Sequence, residues 1–199
     1  PESVGVLGIY GVAKRKLVTK TDRNYYFIDS KIPDHMTDSQ GVTEAPLFSF
    51  LTFPDREVPE DSDELAFSIH APQHHNWVKP WIDDKLYTRK QEYQDLKKSF
   101  SDTLLKYIDS YEFELQENTL RYETSTSLTN KRFNASPQGS AYGIYHSIKY
   151  TGARALSGRT KIDNLFITGQ NTLFPGIMAA SIACMRTTCF GVVLHHRHS

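Results

Sequence analysis

The sequence predicts an α+β fold: a mixed, largely antiparallel sheet with one helix packed against it. Short runs rich in β-branched and aromatic residues at 3–12, 24–29, 47–53 and 65–70 read as strands. The last two flank an acidic loop, which makes them an antiparallel hairpin. Between 88 and 111, by contrast, apolar side chains recur every three or four residues, the period of a helix with one buried face.

The first strand, Ser-Val-Gly-Val-Leu-Gly-Ile-Tyr-Gly-Val, carries Gly5, Gly8 and Gly11 at a spacing of three. A dinucleotide-binding loop needs Gly-x-Gly-x-x-Gly between a strand and a helix. Here Lys14-Arg15-Lys16 follow and no helical pattern begins, so a nucleotide loop is rejected. The second strand holds Tyr25, Tyr26 and Phe27, and residues 33–46 are polar and turn-rich. The third, 47–53, is apolar on both faces and is expected at the centre of the sheet. Six of the eleven residues in 54–64 are Asp or Glu, which reads as a solvated loop. Leu65, Phe67 and Ile69 then alternate with Ala66, Ser68 and His70, the pattern of a half-buried strand. Thr88-Arg-Lys-Gln91 fits a capping box. Leu96, Phe100, Leu104, Tyr107, Ile108 and Tyr111 form the stripe that follows, with Lys97, Lys98 and Asp102 facing away. Residues 111–115 and 120–125 read as further strands.

At 199 residues the chain supports one domain, or one and a fraction. Lys+Arg and Asp+Glu stand at 23 each, which gives no reason to expect nucleic acid or an acidic polymer as partner. Cys184 and Cys189 do not share a helix face, so a reduced protein is expected. No signal peptide opens the chain, which begins at Pro1 inside a strand-like run; the expectation is a piece of a longer protein. The apolar stretch 176–194 has the length of a membrane span, but Arg186 near its middle and its many small residues favour a buried helix. His70, His74 and His75 cluster in sequence, yet adjacent His74 and His75 need not converge, and no metal site is assigned. The tail, with His195, His196 and His198, reads as a solvated end. No Ser/His/Asp, Cys/His or paired-acid pattern stands out and no catalytic residue is assigned, which fits a protein whose hard chemistry belongs to a cofactor.

Residues 164–190 organise the rest. Leu165 to Thr168 is a short apolar run ending at Gly169, as a buried strand does. Pro175-Gly176 opens a helix with small residues at Gly176, Ala179, Ala180, Ser181 and Ala183, so something flat can lie close to it. The free amides of its first turn would face an electron-rich group. On spacing alone, an ordinary strand and helix closing a domain serves equally well. Upstream, Thr126-Ser-Leu-Thr-Asn130 and Ser136-Pro-Gln-Gly-Ser-Ala-Tyr-Gly143 form a second block. In it Pro137-Gln-Gly139 makes a turn, and Gly139 and Gly143 permit close backbone approach around Tyr142. Read alone, this is also a glycine-rich connector.

Thr-Gly-Gln-Asn-x-x-x-Pro-Gly-Ile-Met-Ala-Ala resembles the C-terminal flavin-binding segment of the phytoene desaturase, carotenoid isomerase and retinol saturase flavoproteins. The 126–143 block is similar to the one that precedes that segment in the same group, in the same order and at a matching separation. Thr-Gly-Gln is the form found on the retinol saturase side. The resemblance implies two parts: a substrate-side α+β domain, 1–150, and the returning strand and helix of an FAD-binding Rossmann-like domain, 151–199. It implies FAD contacts at Gly169, Gln170, Pro175, Gly176, Ile177, Met178 and Ala179. The amides of the last three would face the pyrimidine edge of the flavin, and Gln170 would lie by the ribityl chain or pyrophosphate, where many members carry aspartate. Tyr142, Gly143 and Tyr145 would line an apolar tunnel, and the 70–77 segment would lead into it. The implied substrate is a polyene or other long lipid, with NAD(P)H as electron donor, in the cytoplasm or at a membrane surface. The N-terminal half with its Gly-x-Gly-x-x-Gly is missing, so the expected function is that of a fragment, inactive alone. A stand-alone α+β ligand-binding or interaction domain is the alternative.

Overall fold

The computed structural model describes residues 4–18, 20–28, 48–54, 62–73, 75–85, 88–141, 143, 149, 158 and 160–167. The chain divides into two compact units, Val4–Gly139 and Pro1–Ser3 with Ser140–Ser199.

The first unit is a five-stranded sheet of β1 (Gly5–Lys14), β2 (Tyr25–Ile28), β3 (Phe48–Thr52), β4 (Glu64–Gln73) and β5 (Thr119–Ser125). Its order is β2-β3-β4-β1-β5, with every neighbour antiparallel. The α+β class and the β3–β4 hairpin are those the sequence predicts. Period-two alternation sends Leu7, Ile9 and Ala13 of β1, Leu51 of β3, and Leu65, Phe67, Ile69 and Ala71 of β4 to one face, all buried. β3 does have a strand on each side, but it is not buried on both faces: Ser49 and Leu51 are buried, whereas Phe48, Phe50 and Thr52 are half-buried. The glycines of β1 lie in mid-ladder, and the ring of Phe67 occupies the place a side chain at Gly11 would need. Pro72 falls past the end of the β3 ladder, where β4 keeps β1 as its one described neighbour, so its missing N–H costs no ladder bond on the β3 side.

α1 (Gln91–Asp109) covers the buried face with Phe100, Leu104, Leu105 and Ile108, while Tyr93 in its first turn packs with Val78 and Leu128. The helix begins three residues after the expected cap. The Thr88 hydroxyl donates to the Lys85 carbonyl at 2.8 Å and closes a turn instead, and Lys90 caps the helix without a side-chain bond. Lys97 does not face away: it is half-buried, and desolvation holds its ammonium below the ordinary range while the charge of Glu123 opposes that shift. Ser101, fully buried on the same helix, joins its hydroxyl to that of Thr124 on β5 at 2.6 Å and donates to the Lys97 carbonyl at 3.0 Å. A buried pair of hydroxyls is thus satisfied internally.

Residues 111–115 are not a strand. The chain reverses through Glu112 (φ 66°) and Glu114 (φ 56°) into α2 (Leu115–Asn118). The Asp109 carboxylate accepts from the amides of Leu115 and Gln116, both at 2.7 Å, and so caps the new helix from the end of the previous one. The alternating Phe113 and Leu115 that suggested a strand are both buried by this turn, with Phe113 set edge-on to Tyr25 at 4.8 Å.

Candidate functional site

The 126–143 block begins where β5 ends. Thr126 caps α3 (Ser127–Phe133), a helix the sequence pattern did not suggest. Its hydroxyl accepts from Leu128 N at 3.2 Å, and Thr129 Oγ1 accepts from Thr126 N at 3.2 Å. The reciprocal cap expected at Thr88 is therefore made here, with a threonine as the returning partner. Gln73, buried at the end of β4, accepts the Ser127 amide on its side-chain oxygen at 2.8 Å. Pro137–Gly139 forms the expected turn, with Gly139 N donating to the Ser136 carbonyl at 2.9 Å. Gly139 has φ 74°, and a Cβ there would stand 1.8 Å from the Ser127 carbonyl oxygen, so the close backbone approach anticipated from the sequence is present. Gly143 is left-handed too, at φ 67°.

The other residues assigned from the motifs, Tyr142, Tyr145, Gly169, Gln170, Pro175, Gly176, Ile177, Met178 and Ala179, lie outside the described residues. So do His74 and the apolar stretch 176–194. The run before Gly169 is described in part and departs from the expected buried strand. Phe166 makes a single bridge, and Leu165 and Ile167 are 45% and 46% exposed. No other described strand extends this bridge into a sheet that could cover them. Among the described residues no three His, Cys, Asp or Glu side chains come together as a metal site, and no helix is long and apolar enough to cross a membrane. Gly5, Gly8 and Gly11, where the sequence pattern gives no nucleotide loop, are committed to a ladder.

The face of the sheet opposite α1 is different in character. One line of register partners crosses all five strands: Tyr26, Phe50, His70, Gly8 and Ser125. Cross-strand partners project to the same side, and the rings form a row. Tyr26 and Phe50 have centroids 4.9 Å apart, Phe50 stacks on His70 at 6.1 Å, and Tyr10 meets His70 edge-on at 5.5 Å. Tyr10 reaches this position because its ring folds back over Gly8, where a Cβ would stand 2.9 Å from the ring and 3.0 Å from the hydroxyl. The row spans three strand spacings, about 14 Å. Tyr26 and Tyr10 are 62% and 50% exposed, so the row is open to a ligand. Exposed rings set side by side in this way form a surface that a ligand or a partner can cover.

Polarity grades along the line. Tyr26, Ile28, Phe48 and Phe50 make the β2–β3 end apolar. The β1–β5 end carries Arg121, Glu123 and Ser125 on β5, and beside Tyr10 it opens into a groove of about 580 Å³ that Arg121 and Glu123 line with Val12, Pro54 and Ser68 of β4. Arg121 is engaged: its two terminal nitrogens donate to the Glu64 carboxylate at 3.0 and 2.8 Å, which lowers the Glu64 pKa. Burial lowers the pKa of His70, which favours the neutral imidazole at the boundary. The sequence pointed to His70 as one of three nearby histidines and, through the resemblance, as part of a segment leading into the substrate region. The signal for the row was present, in aromatic residues at outward positions of β1, β2 and β3, but it becomes visible only once the strands are in register.

No protein-family model matches the chain. The chain is similar to an all-trans-retinol 13,14-reductase of Danio rerio, at 25% identity over 202 residues that take in 95% of this chain and 33% of the relative. The enzyme of the same name from Rattus norvegicus matches at 26% over 180 residues, 84% of this chain and 29% of the relative. That of Homo sapiens matches at 23% over 152 residues, 73% and 25%. The chain thus spans about a third of the length of the curated relatives it matches.

Proposed function

We propose that this chain is the C-terminal portion of an FAD-dependent oxidoreductase that acts on a carbon–carbon double bond of a retinoid-like lipid. The observation that carries this reading is the open aromatic row on the sheet, a surface suited to a long, flat, apolar molecule. The similarity to reductases of all-trans-retinol points to the same substrate class. On this reading residues 1–150 form the substrate side, and 151–199 return to the flavin-binding domain. FAD would be held by Gly169, Gln170 and the helix N-terminus at Pro175, Gly176, Ile177, Met178 and Ala179, with Tyr142, Gly143 and Tyr145 on the substrate path. The chemistry FAD supplies in such an enzyme is hydride exchange with the double bond, with NAD(P)H as the source of electrons. The protein contributes placement: the row orients the lipid, and the tight Gly139–Ser127 packing holds the block that connects the two parts. Exposed Leu165 and Ile167 fit a strand whose sheet is completed by the flavin-binding domain. Such a protein would work in the cytoplasm or at a membrane surface, where its substrate partitions, and the isolated chain would hold FAD weakly or not at all and be inactive.

The test is to purify the longer protein that contains this chain, record its flavin content, and supply all-trans-retinol with a reductant. The expected result is bound flavin and a dihydro product by mass spectrometry. A protein without flavin that leaves retinol unchanged would overturn the reading and leave a ligand-binding domain.

A further inference from the structure

We infer that His70 and Tyr10 form the polar end of the lipid site and hold a hydroxyl group, with the apolar chain of the ligand lying over Phe50 and Tyr26. The inference rests on the retinoid reading and specifies how that site orients its substrate. Among the described residues neither the His70 imidazole nor the Tyr10 hydroxyl has a hydrogen-bond partner, and the two polar groups stand side by side with the apolar ring of Phe50 next in the row. The two rings meet edge-on at 5.5 Å, at the boundary between the aromatic and polar halves of the face. Gly8 creates this pairing, since a side chain there would displace the Tyr10 ring.

The chemistry of the pair selects its occupant. A neutral imidazole offers one donor and one acceptor, and a phenol offers the same. Together they match an alcohol, which also donates and accepts. Among the described residues, Arg121, the cation that lines the groove beside Tyr10, is held bidentately by Glu64, and Glu123, the register partner of Tyr10, would repel a carboxylate. A hydrocarbon end would leave both groups dry and unbonded. The occupant is therefore an amphipathic lipid with an apolar body about as long as the row and a hydroxyl at one end.

The test uses fluorescence quenching in the full-length protein with three probes: all-trans-retinol, the hydrocarbon in which methyl replaces its hydroxymethyl group, and retinoic acid. His70→Phe and Tyr10→Phe keep a ring at each position and remove the polar atoms. Thermal melts show that each variant folds. The readout is the ratio of retinol to hydrocarbon affinity, which a packing role would not move. Each substitution should lower that ratio about three- to tenfold, the worth of one net hydrogen bond. His70→Asn, which keeps a donor and an acceptor, should restore part of it, and retinoic acid should bind more weakly than retinol. If the wild type binds retinol and the ratio is unchanged in both variants, the assignment of His70 and Tyr10 is wrong while the retinoid reading stands. If the wild type binds neither retinol nor the hydrocarbon, the retinoid reading itself fails, and this assignment with it.

Discussion

Gly139→Ala is the sharpest test of the packing that anchors the 126–143 block. Two costs combine. An L-residue held at φ 74° costs about 1–2 kcal/mol relative to glycine. The new Cβ would also stand 1.8 Å from the Ser127 carbonyl oxygen, and that atom is backbone, so no rotamer change relieves the clash. Moving Ser127 shifts the first turn of α3 and loosens the 2.8 Å bond from its amide to Gln73, which is 1% exposed. A buried polar group left without its partner costs about 1–3 kcal/mol more. The expected destabilisation is therefore about 2–5 kcal/mol, a large share of the stability of an ordinary domain. Urea unfolding with linear extrapolation measures it, with an unchanged m-value as the control. Gln138→Gly should act in the opposite sense, by up to about 1 kcal/mol, because Gln138 itself sits at φ 49°. A loss below about 1 kcal/mol for Gly139→Ala would show that this backbone approach does not exist in solution.

Two further outcomes follow from the same structure. Asp109→Ala removes the acceptor for the amides of Leu115 and Gln116 and should cost about 1–3 kcal/mol in the same urea assay, while Asp109→Asn, which keeps one oxygen, should cost less. The pH dependence of stability should carry a component from His70. Its pKa is depressed in the folded protein, so as pH falls through the ordinary value of 6.5 the unfolded chain takes up the proton first. Stability from the neutral imidazole is complete above that pH and declines below it, and melting curves of His70→Phe should lack that part of the slope.

Much of the sheet was legible because its strands alternate strictly, as in Leu65, Phe67 and Ile69. α1 was legible from its 3.6-residue stripe. The failures are local competitions that periodicity does not register. Thr88 satisfies the pattern of a cap, but its hydroxyl goes to Lys85, while Thr126 caps with Thr129 in a role usually taken by Glu or Gln. Phe113 and Leu115 alternate like a strand, yet Asp109 captures the amides that a ladder would need. Lys97 lies on what a helical wheel calls the polar side, and burial there depends on where β5 passes. The site divides in the same way. Gly139 could be read from its motif, since a glycine after Pro-Gln announces a turn. The aromatic row could not, because Tyr10, Tyr26, Phe50 and His70 come from four strands and only the register unites them.

The most direct test of a lipid site on the open sheet face is a set of intermolecular NOEs between all-trans-retinol and the full-length protein, with ring protons assigned by selective labelling of Phe, Tyr and His. We expect polyene protons to show NOEs to Phe50 and Tyr26, with the hydroxymethyl protons near His70 and Tyr10. NOEs from bound retinol to other residues, with none to these four rings, would contradict the site.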